Sequence, residues 1–188
     1  MTLLRTCLQQ IIDLPTADWN IMKNYFHQVS FAKNVKLLEQ GRIENYLYFI
    51  EEGLVRFHIE NNEKDTTFNF GLEGQFISAY DSFLTQAPST YSVSTLSKTI
   101  LSRINYQDLQ LVYKNTSVGE KIGRLAAEEL FKLKINRLLS MLNETPEQRY
   151  LNLLQTRKEY LQKIPLKYLA SYIGVAPETL SRIRKRIS

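Results

Sequence analysis

Cysteine is nearly absent from this chain. Cys7 is the only one, and His27 and His58 are the only histidines, so a single chain cannot assemble a disulfide, a thiolate-ligated metal site or an iron–sulfur cluster. Long apolar runs are missing as well. No segment approaches the roughly 18 apolar residues of a membrane span, and Met1 to Gln10 holds no apolar stretch of signal-peptide length. A cytoplasmic protein without membrane contact is expected. The signatures of catalysis are equally scarce: there is no Gly-rich phosphate loop, no Gly-x-Ser-x-Gly and no His-Glu-x-x-His. The two histidines lie in strand-like stretches without a nucleophile nearby, and Asp81 reads as a helix cap. Neither an enzyme nor a cofactor is expected.

The charge that is present is unevenly spread. The net charge of the 188 residues is +5. From Met1 to Asn115 there are 10 Lys and Arg against 12 Asp and Glu, and from Thr116 to Ser188 there are 14 against 7. The basic half reads as a nucleic-acid half, because cations that displace condensed counterions from a phosphate backbone gain salt-dependent affinity.

The most informative stretch lies inside that half. In Ile164 to Ile173, the residues Leu166, Leu169, Ala170 and Ile173 recur at i, i+3, i+4 and i+7, one face of a helix. Gly174 can take the left-handed conformation that ends such a helix, and Pro177 fits the first position of a new one, where its missing N–H has no intrahelical partner. In the second helix Leu180, Ile183 and Ile187 form the buried stripe, while Glu178, Ser181, Arg182, Lys185 and Arg186 point outward. Two short helices, a tight turn and a cationic second helix make a helix-turn-helix layout of the kind that enters a DNA major groove.

This stretch resembles the helix-turn-helix of the Crp-Fnr superfamily of bacterial transcription regulators, through Ala170, Gly174 and the run Glu178-Thr179-Leu180-Ser181-Arg182. The resemblance implies that Glu178 and Arg182 face base edges and that Thr179 and Ser181 sit near the backbone of the site. Lys185 and Arg186 are candidate phosphate contacts, and Lys167 and Tyr168 are candidate contacts from the first helix. Pro177 stands where relatives often carry a base-contacting Arg, and no β-wing follows the second helix.

The rest of the chain extends the resemblance. Lys36–Gly41, Tyr46–Glu51, Gly53–Ile59, Thr66–Gly71, Tyr91–Thr95 and Thr99–Ile104 are rich in β-branched and aromatic residues and are punctuated by Gly41, Gly53, Asn61-Asn62, Gly71, Gly74 and Pro88. Several short strands at near-even spacing predict an antiparallel sandwich or jelly roll with a mouth for a small ligand. A short helix opens the chain, and Thr16 is a candidate cap for a second, with Trp19, Met22 and Phe26 on its buried face. Ser117 to Leu142 reads as one long helix whose Leu125, Ala126, Leu130 and Leu133 side covers the β domain, leaving Phe131, Ile135 and Leu138 for a second subunit. Thr145-Pro146-Glu147-Gln148 is a capping-box start for a further helix.

The expected fold class is therefore α+β: an N-terminal antiparallel jelly roll of the cyclic-nucleotide-binding type over 1–115, a long dimerisation helix over 116–142 and a wingless helix-turn-helix domain over 143–188. The resemblance places a phosphate cassette, a Gly-Glu pair near a short helix and an Arg beside a Pro, at Gly74 to Phe83 and Pro88 to Tyr91. Here the Gly-Glu pair is absent and Ser89 takes the place of the Arg, and no Lys or Arg occurs between Asp65 and Ser97. A buried unpaired anion is costly. The expectation is therefore a pocket not tuned to cyclic AMP, which either holds a neutral small-molecule effector through Ser78, Ser89 and Thr90 or binds nothing. The expected function is a homodimeric, sequence-specific regulator that binds double-stranded DNA at an inverted repeat, with RNA polymerase as a further partner where it activates. The alternative is a ligand-sensing or scaffold protein of the same fold that no longer binds operator DNA.

Overall fold

Two four-stranded sheets and nine helices form among residues 1–61 and 64–187, the residues described by the computed structural model. Asn62 of the expected Asn61-Asn62 turn lies outside them. The strands are β1 (His27–Phe31), β2 (Lys36–Leu38), β3 (Tyr46–Glu52), β4 (Leu54–Asn61), β5 (Lys64–Leu72), β6 (Phe76–Ile77), β7 (Ser92–Thr95) and β8 (Thr99–Asn105). They order as β1-β8-β3-β6 in one sheet and β2-β7-β4-β5 in the other. The helices are α1 (Thr2–Ile11), α2 (Thr16–Met22), α3 (Tyr80–Thr85), α4 (Tyr106–Asn115), α5 (Gly119–Asn143), α6 (Pro146–Thr156), α7 (Lys158–Lys163), α8 (Leu166–Ile173) and α9 (Pro177–Ile187).

Two compact units divide the chain: Met1–Phe57 with Phe70–Glu128, and His58–Asn69 with Glu129–Ser188. The register of the first sheet explains how the first unit sorts its side chains. Tyr48 lies opposite Arg103 and Ile50 opposite Leu101, so these four share one face; Leu47 opposite Ile104 and Phe49 opposite Ser102 share the other. The Leu47 face packs against α1, α2 and α4 through Leu4, Leu8, Trp19, Leu109 and Val112, all buried. The Ile50 face looks at the second sheet, where a Cβ on Gly71 of β5 would stand 2.9 Å from Ile50 Cδ1. Gly53 makes the tight turn between β3 and β4 with φ +113°, and a side chain there would stand 2.8 Å from the Lys98 carbonyl.

Three expectations need correction here. Pro15, not Thr16, occupies the N-cap of α2, and Thr16 makes no capping hydrogen bond; Pro at that point already sets the entry of the chain. The expected strand Lys36–Gly41 stops at Leu38, because Gln40 and Gly41 turn away to bond Ser92 Oγ and the Ser89 carbonyl. On α5, Ala126 and Leu133 are exposed rather than buried, and only Gly119 of the whole helix is buried. Ile122 near its start packs against the core of the first unit, and Leu125 and Leu130 are half-buried.

In the second unit, Thr145 Oγ1 accepts from Gln148 N–H at 3.2 Å while Gln148 Oε1 accepts from Thr145 N–H at 2.7 Å, the reciprocal pair that starts α6. Leu169, Ala170 and Ile173 of α8 pack with Leu180 and Ile183 of α9 as buried residues, whereas Leu166 is exposed at the first turn.

Candidate nucleic-acid interface and effector site

The turn between α8 and α9 follows from Gly174. It sits at φ 88°, ψ 33°, its N–H and that of Val175 both return to the Ala170 carbonyl, and the last turn of α8 is closed. A Cβ on Gly174 would come within 3.2 Å of Met141 Cε and 3.5 Å of Arg149 Nη2, so space as well as conformation selects glycine.

Two arginines hold this turn from outside. Arg149, buried on α6, donates through Nε to the Ile173 carbonyl at 2.7 Å and through Nη1 to the carbonyls of Glu144 and Ser140. One guanidinium thus satisfies carbonyls at the ends of both α5 and α8, where helices leave acceptors unpaired. Arg137 of α5 lies over the Tyr172 ring at 3.8 Å and also donates to the Tyr172 carbonyl.

With α8 fixed, α9 turns Leu180 and Ile183 inward and leaves Glu178, Arg182, Arg184, Lys185 and Arg186 exposed, with Thr179 and Ser181 partly so. Arg182 Nη2 donates to Thr179 Oγ1 at 3.1 Å, one turn back along the same face. Arg186 reaches across to Glu147 Oε2 at 2.5 Å, a surface pair of small energetic weight. On α8, Lys167 Nζ lies 4.5 Å over the Tyr168 ring. The α9 residues share one outward face, and Lys167 and Tyr168 lie at the start of α8.

The expected effector residues are not assembled in the same way. Ser89 is buried and its hydroxyl is committed to its own turn, donating to the Tyr91 carbonyl at 2.8 Å and accepting from Tyr91 N–H at 3.2 Å. Ser78 Oγ donates to the Tyr46 carbonyl at 2.9 Å, and Thr90 is exposed. The polar groups that stand out nearby are others. Glu44 is 2% exposed; its backbone N–H donates to Ser82 Oγ at 3.0 Å, and its Oε1 accepts from Tyr46 N–H at 3.0 Å. Burial pushes its carboxyl up to about 7, although the N–H groups of Tyr46, Ala79 and Asn45 favour the charged form. Tyr91 donates to Asp81 Oδ1 at 2.5 Å, and burial raises its hydroxyl well above the ordinary phenol range.

Arg103 is the cation that a survey of Asp65 to Ser97 misses. It shares the Tyr48 face of β8 and lies 4.3 Å over the Tyr46 ring. Its parity with Leu101 and Thr99 in the strand is the sequence signal that places it on that face. On α5, Arg124 Nη1 pairs with Glu128 Oε1 at 2.5 Å. No group of three or more His, Cys, Asp or Glu suited to a metal occurs among the described residues, and none of their helices is long and apolar enough to cross a membrane.

Comparison with known proteins bears on both regions. Residues 28–116 match the cyclic nucleotide-binding domain family. A search of curated proteins found no match. Among solved structures, FixK2 from Bradyrhizobium japonicum superposes with a TM-score of 0.71 at 16% identity, covering 86% of this chain and 84% of that one. A mutant of CooA from Carboxydothermus hydrogenoformans gives 0.70 at 13% identity, covering 89% and 78%. The c-di-GMP responsive regulator CLP of Xanthomonas campestris gives 0.66 at 18% identity, covering 92% and 91%. Residues 28–116 thus match the cyclic nucleotide-binding domain family, and the chain shares its fold with FixK2, CooA and CLP.

Proposed function

We propose that this chain is a sequence-specific, DNA-binding transcription regulator that works as a homodimer, with α9 as the helix that reads the major groove. The observation that carries the reading is the two-sidedness of α9: Leu180 and Ile183 are buried while Arg182, Arg184, Lys185 and Arg186 stand exposed on a helix anchored through Gly174 and Arg149. A helix held so firmly and so cationic on its open side suits a polyanion. Arg182 makes a bidentate contact to a guanine edge, Glu178 accepts from a base, and Lys167, Tyr168, Thr179, Ser181, Lys185 and Arg186 contact the backbone.

The partner for α5 is a second copy. Phe131, Ile135, Leu138 and Leu142 recur at spacings of four, three and four, and they are 65%, 37%, 53% and 71% exposed. This is the seam of a two-stranded helix pair. In domain terms, 1–115 senses, 116–142 dimerises and 143–188 binds DNA. The effector domain is not tuned to cyclic AMP, since Ser89 offers only a neutral hydroxyl already bonded to Tyr91. A gel shift with the protein's own promoter region at moderate salt tests the reading. A retarded band that survives excess nonspecific duplex supports it; none at micromolar protein leaves a sensor or scaffold that does not bind an operator.

A further inference from the structure

Two guanidiniums stand about one turn apart on α9, those of Arg182 and Arg186, and their partners differ in kind. Arg186 is paired with a carboxylate, Glu147 Oε2, at 2.5 Å. Arg182 donates from Nη2 to a neutral hydroxyl, Thr179 Oγ1, at 3.1 Å. Glu178 lies at i−4 from Arg182, a spacing at which a carboxylate and a guanidinium can meet on a helix, yet the bond that Arg182 makes is to the hydroxyl. A hydroxyl partner fixes the direction of the fork and leaves its positive charge for an incoming acceptor, whereas a carboxylate partner offsets that charge.

The hydroxyl is a fixed point. Thr179 lies in the first turn of α9, its N–H donates to the Ala176 carbonyl at 3.1 Å, and its side chain is half-buried. Branching at Cβ restricts its χ1. Leu180, the next residue, is fully buried, so this turn is seated in the core of the helix pair. Arg182 is exposed, and a long exposed side chain loses rotamer freedom when it binds. The bond to Thr179 removes part of that freedom before DNA arrives. A threonine hydroxyl has lone pairs and an O–H; Arg182 takes a lone pair, so the O–H can still donate to a phosphate.

We propose that Thr179 is a positioning residue for base readout: it presets the Arg182 fork toward a guanine edge and so sets specificity through Arg182, in addition to its own contact with the backbone. The assignment rests on the DNA-binding reading above. The two roles have different signatures, because loss of a backbone contact weakens every duplex alike, whereas loss of a preset fork weakens only duplexes that carry the guanine.

The test uses the full chain and a random-sequence duplex pool, from which the wild type selects its preferred duplex. Affinities for that duplex, for its single-base variants and for an unrelated duplex are measured by fluorescence anisotropy at fixed salt for wild type, Thr179→Val, Thr179→Ser and Arg182→Ala. Valine removes the hydroxyl with little change of shape, and serine keeps it. In Thr179→Val the ratio of preferred to unrelated affinity should fall about three- to tenfold, the range for immobilising one long side chain, with preference relaxed at the same base position as in Arg182→Ala. Thr179→Ser should keep the wild-type ratio, and Thr179→Val should add nothing to the loss of ratio in the Arg182→Ala background. The positioning role is overturned, and the DNA-binding reading left standing, by a Thr179→Val that weakens all duplexes by one factor or relaxes a different base position, or by a Thr179→Ser that loses as much preference as Thr179→Val. A wild type that enriches no sequence from the pool overturns both.

Discussion

Arg149 Nε donates to the carbonyl of Ile173 at 2.7 Å, across 24 residues of sequence, and so ties the start of α6 to the end of α8. The same guanidinium bonds the carbonyls of Ser140 and Glu144, and Glu144 directly precedes the cap of α6. Removing it leaves buried acceptors unpaired. Arg149→Met, which keeps volume but no donor, should lower stability by about 2–4 kcal/mol in denaturant unfolding. An unchanged midpoint would mean that water replaces the guanidinium without loss.

Arg182→Ala should weaken operator binding by about 1–3 kcal/mol and relax base preference at one position. Lys185→Ala should instead weaken all duplexes alike and reduce the salt slope by about one. Equal effects of the two changes on specific and nonspecific DNA would contradict the assignment of Arg182 to a base edge.

Glu44 supplies a pH dependence of stability. Burial raises its folded carboxyl to about 7, against 4.5 for the same group in the unfolded chain, so between these values the folded state holds a proton that the unfolded chain has released. The contribution is therefore fully present below about pH 4.5, declines as pH rises through 7 and is flat above it; its span is on the order of 3 kcal/mol. Glu44→Gln, neutral throughout, should remove this slope and leave the protein more stable than wild type at pH 8. Thermal unfolding from pH 5 to pH 8 decides it, and a wild-type slope of opposite sign would mean that Glu44 is charged in the folded state.

Leu138→Glu places two like charges near the two-fold axis in an apolar seam. Sedimentation should show monomers, and operator binding should fall by orders of magnitude while each β domain stays folded. The operator itself should be an inverted repeat with half-sites about 34 Å apart.

Cyclic AMP should bind weakly or not at all, because a neutral hydroxyl replaces a charge-assisted fork. Calorimetry giving sub-micromolar affinity would point to Arg103 as the guanidinium that meets the phosphate.

The helices α6, α8 and α9 were legible in the sequence because local chemistry determines them, whereas α7 was not read. Gly174 needs its positive φ, Pro177 begins α9, and Thr145 with Gln148 closes the capping box. Elements set by distant partners were not. β1 is an edge strand whose alternation is only Val29 and Phe31 against exposed neighbours, and its partner is β8; β6 has two residues and is defined by Tyr48 and Phe49. Glu44 reads as a solvated loop residue, since no period marks it. It is buried because its loop is stitched to the α3 region by Ser82 and by the bridge between Ile43 and Pro88. Ser89 illustrates the converse: a hydroxyl at a place where a ligand is expected can be used up by its own turn.

The pairing of His27–Phe31 with Thr99–Arg103 has a consequence for synthesis. The partners are about 70 residues apart, and such non-local closure is slow relative to hairpin formation. A chain leaving the ribosome must hold β1 unpaired until β8 has emerged. During that interval the edge of β1 is open to strands of other chains, and its polar outward residues Gln28 and Ser30 are the side chains that keep such encounters weak.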